Sequence, residues 1–160
     1  MRLFIAGVLA LVLAACSSVG TNSLNIGSGY LVISQFPEGV ELGRYPLGEN
    51  KTFFLSFIHS VSKTKVKDIY EIRGRRIVQT EEFFKAHGAG LPSSPEEPGG
   101  LSWEKTKDWF ILHMERPIPK LVVRTDKMYQ NRLGLGSETI DLNGWEDQAL
   151  LIFVDPENPY

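Results

Sequence analysis

From Tyr30 onward, apolar residues come in short runs that recur every second position, rich in β-branched and aromatic side chains and cut off by Gly, Pro, Asn or Asp. A period of two puts alternate side chains on opposite faces of an extended strand, whereas an amphipathic helix needs a period near 3.6. The pattern predicts strands over residues 30–36, 41–45, 52–59, 66–73, 76–81, 109–114, 121–124, 139–142 and 150–154. Only residues 82–87 have helix-compatible composition. Eight or nine short strands at this spacing predict an all-β fold, a single-domain antiparallel β-sandwich or partly open barrel with long loops, over residues 29–160. Two segments read as irregular: 91–100, broken by Pro92, Pro95 and Pro98, and 131–136.

Before that domain the chain has the layout of an export signal. Arg2 precedes an apolar run over residues 3–13, and the small pair Ala14 and Ala15 stands before Cys16. The run is shorter than the roughly 20 residues a spanning helix needs. Leu13, Ala14, Ala15 and Cys16 resemble a lipobox, which implies cleavage before Cys16 and attachment of lipid to its sulfur. Two or more acyl chains hold a protein stably on a membrane. Ser17 in place of Asp resembles the outer-membrane sorting pattern, so a Gram-negative host implies the inner leaflet of the outer membrane. The expected arrangement is therefore a signal peptide over 1–15, a lipidated Ser-, Gly-, Asn- and Thr-rich tether over 16–28, and a domain outside the cytoplasm.

Cys16 is the sole cysteine of the 160 residues, which excludes disulfides, thiolate metal sites and cysteine nucleophiles in the domain. The formal net charge of −2 announces no polyanion-binding face, and no nucleic acid partner is expected. No cofactor is expected either.

The stretch 52–73 reads as a hairpin. Phe53, Leu55, Phe57 and His59 share one face, and Val66, Asp68, Tyr70 and Ile72 form the matching face, apolar except for Asp68. A loop over 62–65 would set His59 across from Asp68, as a polar clasp closing the hairpin or as a proton-handling pair. Ser60 follows His59, but neighbours on a strand point to opposite faces, and no Gly-x-Ser-x-Gly elbow exists elsewhere. His87 and His113 complete the histidines; their spacing does not cluster as metal ligands do, and no metal is expected. Gly88, Ala89, Gly90, Leu91 and Pro92 make a small-residue segment, a sharp turn between sheets or a backbone-lined ligand loop. Trp103, Trp109, Trp145, Phe83, Phe84 and Phe110 are expected in the core.

Taken together, His59-Ser60-Val61, Lys63-Thr64, Asp68 with Tyr70, Glu81, Phe84 and the run from Gly88 to Pro92 resemble a small exported bacterial domain of unknown function. That domain accompanies, or is fused to, TAXI-type TRAP transporters, which pair a periplasmic solute-binding protein with sodium-coupled membrane subunits. The resemblance covers roughly residues 30–123 and implies a partner, a transporter subunit or solute-binding protein, with no activity attached. The expected function is a membrane-anchored accessory or ligand-binding module, with His59, Ser60, Asp68, Glu81, His87, Gly88, Gly90 and Pro92 as ligand or partner candidates. An envelope enzyme using His59 with Asp68 or Glu81, and a purely structural lipoprotein, are the alternatives.

Overall fold

The computed structural model describes residues 29–86 and 90–156. Within them the chain is a sandwich of two antiparallel sheets with no closed barrel. The strands are β1 (Gly29–Gln35), β2 (Glu41–Pro46), β3 (Thr52–Ile58), β4 (Lys65–Arg73), β5 (Arg76–Phe84), β6 (Gly100–Lys105), β7 (Phe110–Ile118), β8 (Leu121–Arg124), β9 (Arg132–Leu135), β10 (Glu138–Asp141) and β11 (Ala149–Pro156). Four build the smaller sheet in the order β2-β1-β11-β8, and seven build the larger in the order β10-β9-β3-β4-β5-β7-β6. Single 3-10 turns at Lys127–Tyr129 and Leu142–Gly144 lie in the connections.

The two-residue period explains the core. Leu31 and Ile33 of β1, Leu121 of β8, and Leu150, Ile152 and Val154 of β11 meet Phe53, Leu55, Tyr70, Ile72, Ile77, Leu133 and Leu135 of the larger sheet. The first and last strands pair along their whole length, from Gly29 opposite Pro156 to Gln35 opposite Leu150.

Three sequence expectations change. Residues 82–84 are not helical: they continue β5, hydrogen-bonded to β4 on one side and β7 on the other. Satisfying both rows of backbone groups outweighs helix propensity. Residues 132–135 are not loop but β9, paired with β3 and β10. Gly134 is needed there, because a Cβ would overlap the ring of Phe54 lying across it. The irregular segment ends at Gly100, where β6 begins. Gly99, at φ +79°, lies so close to β7 that a Cβ would stand 2.8 Å from the Glu115 carbonyl oxygen.

The aromatic residues divide. Phe84 is fully buried, 5.7 Å from the ring of Phe110 and 5.3 Å from Trp103. Phe83, Trp103, Trp109, Phe110 and Trp145 are partly exposed, so the core expectation holds fully for Phe84 alone.

Candidate functional site

The β3–β4 hairpin brings its chemistry together in a register other than the sequence suggests. Leu55 stands opposite Asp68, Phe53 opposite Tyr70 and Phe57 opposite Val66. The reading of faces holds, but His59 does not pair with Asp68. Its backbone N–H donates to the Thr64 carbonyl, so the turn is made by Ser60, Val61, Ser62 and Lys63, and Lys63 adopts φ 55°. His59 Nδ1 accepts from the Ser62 backbone N–H at 3.1 Å and lies 3.1 Å from the Ser62 hydroxyl, which is 2.9 Å from that of Thr64. His59 thus clasps its own turn, with Gly90 packed near its Nε2. Ser60 is exposed at the tip.

A second irregularity decides which acid faces inward. From Arg73 opposite Arg76 to Tyr70 opposite Gln79 the β4–β5 pairing is regular, then the register shifts and Ile69 faces Glu81. Thr80 is the extra residue of this bulge, its hydroxyl donating to the Ile69 carbonyl at 3.4 Å. Without the bulge Glu81 would oppose Asp68. With it, Glu82 opposes Asp68, while Glu81 turns to the outer face and meets His113 Nδ1 at 3.2 Å. His113 also reaches Glu104, at 3.5 Å.

Asp68 therefore lies on the inner face, between apolar Leu55 and the carboxyl of Glu82. Its Oδ2 accepts from the Tyr70 hydroxyl over a long 3.5 Å, and its Oδ1 is buried with no hydrogen-bond partner among the described residues. Burial pushes the Asp68 carboxyl up to about 8, and the nearby Glu82 adds to this; Tyr70, Arg116 and Gln79 oppose it. Burial likewise raises Glu82, against the pull of Arg116. The Tyr70 phenol is raised well above its ordinary value by burial first and by Asp68 next. At neutral pH, Asp68 is chiefly a neutral carboxylic acid.

In front of Asp68 opens a cavity of about 260 Å³ between the sheets. It is lined by apolar Leu55, Phe57, Leu121, Val122, Val123 and Leu142 and by polar Ser56, Asp68, Tyr70, Arg124, Asn131 and Arg132. On the other side of the Asp68–Glu82 row, a polar cavity of about 330 Å³ is lined by Glu82, Arg116, Glu97, Gly90, Leu91 and buried Pro92. Arg116 is held there by the Pro98 carbonyl at 2.7 Å and the Gln79 amide oxygen at 3.3 Å.

Of the candidates read from sequence, Asp68 lines the first cavity, Gly90 and Pro92 the second, His59 and Ser60 the hairpin turn, and Glu81 the outer face. His87, Gly88 and Cys16 lie outside the described residues. Glu82, Gln79 and Arg116 join the site unannounced: the Thr80 bulge turns Glu82 inward, Gln79 stands opposite Tyr70 in the regular part of the pairing, and Arg116 stands opposite Gln79. Among the described residues no group of three or more His, Cys, Asp or Glu side chains is arranged to hold a metal, and no helix is long and apolar enough to cross a membrane.

No curated protein and no solved structure matches the chain. Residues 53–142, more than half its length, match a family defined by a domain of unknown function, DUF1850, and the chain belongs to that family.

Proposed function

We propose that this chain is a non-enzymatic ligand-binding accessory module of the bacterial envelope, with its ligand seated between the sheets in front of Asp68. One observation carries the reading: Asp68, whose Oδ1 is buried without a hydrogen-bond partner among the described residues, is one of the residues that line a largely apolar cavity. Leaving such a group unsatisfied costs about 1–3 kcal/mol, and buried polar atoms in native proteins nearly always have a partner. A ligand polar atom supplies it. An apolar cavity with a few convergent polar groups is also the usual form of a small-molecule site. The enzymatic alternative required His59 to join Asp68 or Glu81, and these three lie at the turn, on the inner face and on the outer face respectively.

The cavity is tested by amide chemical-shift mapping of the full chain against a small-fragment library. Hits should move the amides of Leu55, Asp68, Leu121 and Leu142 together, and Asp68→Leu should abolish them. A library without a single hit at those amides would remove the reading.

The address and partner belong to the same proposal. Lipid on Cys16 holds the domain at the membrane, beside a TAXI-type TRAP transporter or its solute-binding protein, as the lipobox and the resemblance of the domain imply. Cys16→Ser should move the protein from floated membranes to the soluble fraction. Crosslinking in cells should capture transporter subunits or their solute-binding protein; an abundant, anchored protein that captures neither would end the transporter link.

A further inference from the structure

The polar cavity of about 330 Å³ beside Glu82 is walled by β5 and β7 on one side and by Gly90, Leu91, Pro92 and Glu97 on the other. We infer that it is a second binding site, for a small α-amino acid held as a zwitterion, its carboxylate on Arg116 and its ammonium between Glu82 and Glu97. The inference does not rest on the cavity in front of Asp68.

Placement comes first. On β5, Glu82 shares the inner face with fully buried Phe84, and on β7, Arg116 shares it with buried Leu112 and Met114. Glu82 stands opposite Leu112, and Arg116 opposite Gln79. The Arg116 guanidinium reaches the segment that crosses this face, because its Nε donates to the Pro98 carbonyl at 2.7 Å. That segment is fixed in turn: the Gly100 N–H donates to the Glu97 carbonyl at 2.7 Å, and the Glu115 N–H of β7 to the Gly99 carbonyl at 2.8 Å.

Charge decides the class. The charges of Arg116 and Glu97 both act on Glu82, as expected of three groups lining one space. Among the described residues, however, the carboxylates of Glu82 and Glu97 have no hydrogen bond and no ion pair. Arg116 spends Nε on the Pro98 carbonyl and Nη1 on the Gln79 amide oxygen, which leaves Nη2 without a partner among the same residues. Opposite charges that share a cavity without meeting suit a ligand that carries both. A guanidinium takes a carboxylate through its fork of N–H groups, and carboxylates accept from an ammonium. In an α-amino acid one carbon separates the two ends, which matches a site whose own charges lie close together. Leu91 and buried Pro92 offer its side chain an apolar wall. A simple anion would face two carboxylates, and a metal ion would face the guanidinium. Size agrees: an apolar cavity of about 150 Å³ accommodates benzene, so 330 Å³ holds a molecule as large as valine.

The experiment measures binding to the full-length chain, as its host produces it, by amide shift titration at pH 7. The probes are L-valine, L-valinamide, which lacks the carboxylate, N-acetyl-L-valine, which lacks the ammonium, and calcium chloride. L-valine should move the amides of Glu82, Leu91, Glu97 and Arg116 together, and each blocked derivative should bind about tenfold more weakly. Arg116→Gln should erase the preference over L-valinamide. Glu82→Gln and Glu97→Gln, which touch no bond that holds the segment in place, should each reduce the preference over N-acetyl-L-valine. Equal binding of either blocked derivative to the parent chain overturns the inference, as does an unchanged preference in both glutamate variants. Calcium moving these amides at a lower concentration than L-valine overturns it in favour of a cation site, and amides that no probe moves overturn it outright.

Discussion

The carboxyl of Asp68 holds its proton up to about pH 8 in the folded chain, against 3.8 as its ordinary value. A group that binds a proton more tightly when folded stabilises the fold only while protonated, so stability falls as pH rises from about 4 to about 8. Glu82, raised in the same direction, contributes with the same sign. Urea midpoints measured across that window should decline, and Asp68→Asn should flatten the decline, leaving the share of Glu82. A variant whose slope equals that of the parent would show that Asp68 does not titrate in this way. Gly134 makes a second prediction at this scale. Its missing side chain is the space the Phe54 ring occupies, so Gly134→Val should cost about 1–3 kcal/mol by overpacking. Neither role is visible in the sequence: one depends on a bulge in the adjacent strand β5, which sets Glu82 beside Asp68, the other on a ring from the neighbouring strand.

Among the elements, the hairpin of β3 and β4 shows where sequence reasoning succeeds and where it stops. Alternation of Phe53, Leu55 and Phe57 against Val66, Tyr70 and Ile72 assigned the faces correctly, because the pleat has a strict period of two. Register followed the turn, and the turn depended on the left-handed conformation of Lys63. Lysine has no preference for that region, so nothing announced it. Lys63→Gly should therefore raise stability by about 0.5–1 kcal/mol, read from the denaturation midpoint, with part of the gain offset by the lost contact between Lys63 and the Tyr129 ring. In β9 the signal was present in Leu133 and Leu135, two positions apart, but the glycines around them read as a loop. Leu133 is fully buried, and Leu133→Ala should cost about 2–5 kcal/mol. A loss well under 1 kcal/mol would mean that β9 is not part of the core.

The family match and the sandwich differ in extent at the scale of the whole molecule. Residues 53–142 carry the larger sheet and β8, apart from Thr52. They omit β1, β2 and β11, three of the four strands of the smaller sheet, and with them Leu31, Ile33, Leu150, Ile152 and Val154 of the core. The matched segment by itself should lack cooperative unfolding and a dispersed amide spectrum, because one face of its larger sheet would have no cover. Restoring residues 29–52 and 143–156 should recover both. A matched segment that folds cooperatively would show that the larger sheet does not depend on the smaller one.

Fold class, most strands and the faces of the β3–β4 hairpin were settled by the order of residues alone, since a period of two and the breaking residues act within a few positions of chain. The bulge at Thr80, the exchange of Glu81 for Glu82 beside Asp68, the separation of His59 from that pair and the cavity between the sheets were decided by tertiary structure. Each depends on which backbone satisfies another across a sheet or between sheets, and those partners stand from about ten to well over a hundred residues apart in the chain.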